Sequence, residues 1–255
     1  MRGNRRIAVF AFTRAYGEQK FYKRLEQEGW ETALTTCENL EGTNCYCGEA
    51  AAEALRERIR AFGVSGIHFL DSGNYHYVSR LWLEQAEKPF DLLVLDHHTD
   101  MQEPAFGGIL SCGGWVRAAL EELPLLRQVY LAGPPADSRE AREELFGFMD
   151  RVLWIPEEEL GNGEVLERCL AAEGDGCRPL YISVDKDILR LEDAVTNWDQ
   201  GKVELSALLK SIRAAGRARR VLGMDVCGEE PEGNAAAEKN DRANEALCRV
   251  FASIV

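Results

Sequence analysis

Asp91-Leu-Leu-Val-Leu-Asp-His-His-Thr-Asp100 is the stretch that decides the fold. Four aliphatic residues in succession, Leu92 to Leu95, fit a strand covered on both faces, as in a parallel sheet. The run ends abruptly in acids and imidazoles, the composition expected where a buried strand reaches a ligand-binding edge. Working outward, seven further β-type runs appear: Arg6–Phe12, Thr32–Thr36, Gly66–Asp71, Gln128–Ala132, Arg151–Ile155, Leu180–Asp185 and Arg220–Val226. Helical patterns fall between them near 17–28, 49–62, 77–87, 114–122, 138–147, 163–171 and 203–215. A last one near 240–254 places Ala243, Leu247, Val250, Phe251 and Ile254 on one face. Strands alternating with helices predict an α/β fold: three layers, with an eight-stranded, mainly parallel sheet between helices. Right-handed crossovers then bring all strand C-termini to one edge, where open α/β sheets bind ligands.

The chain has 255 residues, 45% of them hydrophobic and 29% charged, the composition of a folded protein rather than a disordered one. No internal repeat, low-complexity stretch or linker divides it, so one domain over residues 1–255 is expected. The net charge of −13 opposes phosphate backbones and anionic lipid, so neither nucleic acid nor membrane is expected as a partner. No apolar run approaches the ~18 residues of a membrane helix. The basic start, Met1-Arg-Gly-Asn-Arg-Arg6, is followed by too short an apolar stretch for a signal peptide, and a cytoplasmic location is expected. The eight cysteines, Cys37, Cys45, Cys47, Cys112, Cys169, Cys177, Cys227 and Cys248, then read as reduced thiols. Cys45-Tyr-Cys47 lacks the second pair that a tetrahedral metal site needs and reads as two loop thiols.

Three segments concentrate metal-type ligands at strand ends: Asp71-Ser-Gly-Asn-Tyr-His76, Asp96-His-His-Thr-Asp100 and Ser183-Val-Asp-Lys-Asp187. Three of the four histidines lie in them. Taken singly, each reads better as a helix-capping acid or a hydrogen-bonded core histidine than as a ligand. Occurring together, each at a β-to-α switch, they point to a shared site. Alternate strand residues aim the same way, so Asp96 and His98 converge, as do Asp185 and Asp187, and Asp100 follows as the chain curls away. With His76 the set holds four carboxylates and two imidazoles. Four negative charges match two divalent cations. Hard oxygen donors with some nitrogen favour Mn²⁺ among common ions, and a pair of such ions turns a bridging water into a nucleophile near neutral pH.

On these residues the sequence resembles the arginase family of ureohydrolases, which includes arginase, agmatinase and formiminoglutamase. Gly73-Asn-Tyr-His76 is similar to the family's first histidine segment, with one extra residue before the histidine. Asp96-His-His-Thr-Asp100 and Ser183-Val-Asp-Lys-Asp187 match its D-A-H-x-D and S-x-D-x-D motifs in order. The resemblance covers about residues 66 to 231. It implies two Mn²⁺ ions, one held by His76, Asp96, Asp100 and Asp185, the other by Asp96, His98, Asp185 and Asp187. It also implies hydrolysis of a linear C–N bond in a small-molecule or peptide-borne guanidino or amidine group, with Asp100 orienting the attacking hydroxide.

The sequence also departs from the family pattern. Leu110-Ser-Cys-Gly-Gly-Trp115 stands where arginases carry a proton-moving histidine, and no histidine follows His98. The family's guanidinium-binding glutamate aligns with Gly228, leaving Glu229 and Glu230 as substrate-binding candidates one and two residues away. His97 and Lys186 turn away from the ligand positions and are expected near each other beneath the site. Trp198 and Asp199, in the loop after the third motif, are candidates to wall or read a substrate, with a packed surface loop as the alternative. Cys112 has no partnering histidine for nucleophilic work and reads as packing or substrate-facing. Two other functions stay open: a deacetylase-like amide hydrolase and a non-catalytic, metal-stabilised binding protein. Assembly into a homo-oligomer is also left open.

Overall fold

The computed structural model describes residues 5–104, 107–161, 163–172, 178–232 and 236–255; Cys177 and residues 1–4 of the basic start lie outside them. Eight strands form one sheet: β1 (Arg6–Ala11), β2 (Glu31–Thr36), β4 (Ile67–Phe69), β5 (Phe90–Leu95), β7 (Leu126–Gly133), β8 (Val152–Pro156), β9 (Leu180–Asp185) and β10 (Val221–Cys227). The order across it is β2-β1-β4-β10-β9-β5-β7-β8, and every neighbouring pair is parallel. The expected α/β architecture is therefore present, with all eight strand candidates in place to within one or two residues at most ends. Two short strands were not anticipated. β3 (Tyr46–Cys47) and β6 (Leu110–Ser111) pair antiparallel above the sheet edge.

Alternation of side chains divides the core in two. On β1, Ile7, Val9 and Ala11 face one layer, while Ala8 and Phe10 face the other. The first layer contains α1 (Phe21–Gln27), α6 (Glu164–Ala172), α7 (Leu205–Ala218) and α8 (Ala237–Ile254), which contribute Phe21, Leu166, Ile212 and Phe251. The second contains α2 (Glu49–Arg60), α3 (Val78–Leu83), α4 (Trp115–Glu122) and α5 (Arg139–Leu145), which contribute Leu55, Trp82, Val116 and Leu145. β5 is buried along its whole length, as its unbroken apolar run requires. No helix among the described residues is long and apolar enough to cross a membrane.

Register sets the site. Leu95 of β5 pairs with Val184 of β9, and Asp185 pairs with Cys227 of β10. One step past the end of β5, Asp96 therefore stands level with Asp185 and Cys227. The loop after β4, on the far side of β10, supplies His76.

Candidate metal centre

All six metal-type residues predicted from the sequence come together at the C-terminal ends of the middle strands. His76 Nδ1 lies 3.2 Å from Asp96 Oδ2, 2.9 Å from Asp100 Oδ2 and 3.6 Å from Asp185 Oδ2. This buried nitrogen has no well-directed hydrogen bond among the described residues despite three carboxylate oxygens around it. Such a convergence on a common point is the arrangement of ligand atoms about a cation. His98 Nδ1 faces Asp187 Oδ2 at 2.9 Å and Asp96 Oδ1 at 3.6 Å. His76, Asp96 and Asp100 make one compact group, Asp96, His98 and Asp187 a second, and His76, Asp185 and Cys227 a third. Asp96 belongs to two of them.

Local structure explains the convergence. The Asp96 carboxylate accepts the His98 backbone N–H at 2.6 Å, which curls the chain back over the strand end. Asp100 adopts φ +49°, continuing that curl, and its Oδ2 accepts the Trp115 indole N–H at 2.6 Å. Asp185 caps the turn that carries Asp187, accepting its N–H at 2.9 Å. Behind the ligands, His76 Nε2 meets Ser183 Oγ at 2.9 Å, and Ser183 donates to Asp225 at 2.6 Å. This holds the ring with Nδ1 toward the carboxylates. Asp71, by contrast, is structural: it accepts the N–H groups of Phe12 and Thr13, both at 2.8 Å, and ties the loop after β4 to the loop after β1.

Burial and close like charges act together on these groups. Burial raises the Asp100 carboxyl to about 6, aided by Asp96. Burial also raises Asp185 and Asp187, whose carboxylates face further negative charge. Burial opposes a charge on His76, but Asp100 and Asp96 override it and raise the imidazole's pKa. His98 is likewise raised against burial by Asp187 and Asp96. Burial works against the Asp96 carboxylate too, yet the two imidazoles beside it pull its pKa down.

The site opens into a cavity of about 240 Å³. Five of the six metal-type carboxylates and imidazoles, Asp96, His98, Asp100, Asp185 and Asp187, line it, and its upper wall is neutral: Tyr46, Gln102, Ser111, Cys112 and Trp198 among them. Trp198 is thus at the cavity, its indole donating to Asn74 Oδ1 at 2.9 Å. Gly73 makes room for it, since a Cβ there would stand 2.8 Å from the indole and 3.1 Å from Asp185 Oδ2. Asp199, beside Trp198, meets the outer nitrogen of His98 at 3.1 Å.

The late turn follows its own course. Gly228 has φ +83°, and a Cβ on it would lie 2.3 Å from Asp185 Oδ1, so no carboxylate side chain fits there. Glu229 is 1% exposed and does not line the cavity. It pairs with Lys186 and accepts from Gln19 at 2.7 Å, Asn240 at 2.9 Å and Asn244 at 2.6 Å. Glu230 is partly exposed and also absent from the cavity lining. Lys186 and His97 part company: Lys186 reaches Glu229 and Asn244, whereas His97 faces Glu157 at 4.0 Å and Asp199 at 3.9 Å.

Sequence reading missed Cys227, whose thiol donates to Asp185 at 3.0 Å, and Asp225. An acid inside the apolar run Leu222-Gly-Met-Asp-Val226 was the available signal for the latter. It also took Cys45 and Cys47 as loop thiols. Cys47 is buried against the second core layer, and Cys45 lines the cavity.

A family model described as the arginase family matches residues 22–254. Proclavaminate amidino hydrolase from Streptomyces clavuligerus is 18% identical, with a TM-score of 0.72 over 100% of this chain and 94% of that one. Arginase from Bacillus caldovelox is 14% identical, with a TM-score of 0.74 over 97% and 98%. Formiminoglutamase from Trypanosoma cruzi, solved with Mn²⁺, is 14% identical, with a TM-score of 0.70 over 98% and 94%. A protein of Thermotoga maritima is 31% identical over 164 residues, which are 64% of this chain and 58% of the relative's length. The match of the family model to nearly the whole chain, on a sheet that overlays these hydrolases, establishes that the chain belongs to the arginase family.

Proposed function

We propose that the protein is a binuclear manganese hydrolase that cleaves a linear C–N bond of a guanidino or amidine group. The observation that carries this reading is the meeting of Asp96, His98, Asp100, Asp185 and Asp187 at the floor of one cavity with His76 buried against three of them, and with Asp96 common to two ligand groups. The donor set suits the metal: mostly hard oxygen, two imidazoles and enough negative charge for two divalent ions. His76, Asp96, Asp100 and Asp185 would hold one ion, and Asp96, His98, Asp185 and Asp187 the other. When bound, the pair would supply an activated water near neutral pH and positive charge for the developing tetrahedral centre.

The chain's own residues do the positioning. Asp100, anchored by Trp115, lines the cavity and would accept a hydrogen bond from the attacking water. Asp199 and Ser183 hold the rings of His98 and His76 from behind. Trp198 covers the mouth beside His98, the two rings 5.9 Å apart edge to face.

The neutral upper wall favours a substrate whose recognition does not depend on a carboxylate at the guanidinium. Such a substrate is an amidine, a peptide-borne guanidino group or, as a second reading, an amide. Purified protein loaded with Mn²⁺ would be assayed against guanidino, amidine and acyl-amide panels by release of urea, ammonia or amine. Turnover of guanidino or amidine compounds, with metal content approaching two per chain, is expected. A single zinc retained in Asp187→Ala would overturn the binuclear reading.

A further inference from the structure

We infer that Cys45 and Cys112 form a thiol pair that closes reversibly into a disulfide across the lip of the cavity. In the antiparallel pair of β3 with β6, Tyr46 opposes Ser111 and Cys47 opposes Leu110. The next rung places Cys45 opposite Cys112, and the Cys112 N–H donates to the Cys45 carbonyl at 2.9 Å. That backbone hydrogen bond holds the two residues side by side, at a separation of the order of the roughly 4.4–6.8 Å between Cα atoms that a disulfide spans. Both side chains line the cavity, and both cysteines are free. Cys47 is buried in the second core layer and does not line this cavity, so the C-x-C spacing is not the reactive pair. Cys45 also adopts φ +61°, a conformation uncommon for a residue with a side chain.

The chemistry needs a small-molecule disulfide as oxidant. Cys45 is the more exposed of the two thiols and meets it first. The Cys45 sulfur attacks one sulfur of the reagent, forming a mixed disulfide and releasing one thiol. Cys112 then attacks the Cys45 sulfur, forming the Cys45–Cys112 bond and releasing the second thiol. The two protein thiols are oxidised, the reagent is reduced to two thiols, and the protein's two protons leave with them. The link ties β3 to β6 at the rung beside Tyr46 and Ser111, and so fixes the wall over the metal-type residues.

The test treats the full-length protein with oxidised glutathione, then blocks free thiols and maps peptides by mass spectrometry. One peptide pair joining Cys45 to Cys112, with loss of two hydrogen atoms and reversal by dithiothreitol, is expected. Cys47→Ser should leave the link intact, whereas Cys112→Ser should accumulate glutathione on Cys45. Amide exchange in the segments Cys45–Gly48 and Leu110–Gly113 should slow at least threefold in the oxidised protein. A link from Cys45 to Cys47, glutathione at Cys45 that persists in the wild type, or no reaction at Cys45 and Cys112 would overturn the pairing. Unchanged exchange in the linked protein would overturn the fixing of the wall. The wild-type map decides the pairing even where a variant fails to fold.

Discussion

Gly228 rests against the carboxylate of Asp185, so closely that a single methyl group on it would stand 2.3 Å from Oδ1. At φ +83° the backbone there also disfavours any other residue. Gly228→Ala should push Asp185 out of position and weaken Mn²⁺ binding by about 10- to 100-fold, the usual effect of disturbing a metal ligand's support. Metal titration of the two proteins checks this, and equal affinity would show that Asp185 has room to yield.

Asp96 is shared between two ligand groups, whereas Asp187 belongs to one. Asp96→Asn should therefore lower metal content from nearly two to nearly none, and Asp187→Asn from two toward one. Elemental analysis after gel filtration distinguishes them, with circular dichroism confirming that each variant is folded. Equal loss in both would remove the bridging role from Asp96.

Burial raises the Asp225 carboxyl to about 6 from an ordinary 3.8. A carboxyl raised on folding stabilises the folded state in its protonated form. That contribution is fully present below the unfolded value of 3.8 and is lost as pH climbs through about 6. The metal-free protein should lose roughly 3 kcal/mol through this group between pH 4 and 6. Asp225→Asn, neutral throughout, should lack that share of the slope. Urea unfolding at several pH values with a chelator present measures the difference, and parallel curves would refute it.

Free arginine should be turned over poorly or not at all. Gly228 has no room for a carboxylate, and Glu229 is occupied by Lys186, Asn240 and Asn244. A missing partner for a buried guanidinium costs roughly 2–5 kcal/mol, or about 30- to 5000-fold. Urea release at pH 7 to 9 with Mn²⁺ present tests it; an efficient specificity constant would return Glu229 or Glu230 to the substrate.

Glu229→Gln should act on stability instead. It strands the Lys186 ammonium, which is 0% exposed, and breaking a buried pair in this way costs about 3–5 kcal/mol. Glu230→Gln should stay within about 0.5 kcal/mol, being partly exposed. Denaturant midpoints of the two variants give the comparison; similar midpoints would argue that Lys186 finds another partner.

The parts legible in the sequence were those governed by local periodicity. The unbroken run of β5 and the acids at the ends of β5 and β9 needed only strand alternation to predict where Asp96, His98, Asp185 and Asp187 would meet. Other features depended on contacts between segments far apart in the chain. Two-residue strands such as β3 and β6 carry no periodic signal, so the opposition of Cys45 and Cys112 was invisible. The direction of Glu229 was set by Lys186, Gln19 and Asn244, from three other segments, and no spacing around residue 229 encodes it. Asp199 was legible as a residue near the site, but its bond to His98 depended on how its loop folds back.

The burial of Glu229 with Lys186 has an evolutionary corollary. Both residues are part of the framework, and a single exchange at either must first overcome an unfolding penalty. Variation at Tyr46, Gln102 or Ser111 disturbs no such pair. Selectivity in descendants of this sequence should therefore drift along the cavity's upper wall while residues 186 and 229 change only together.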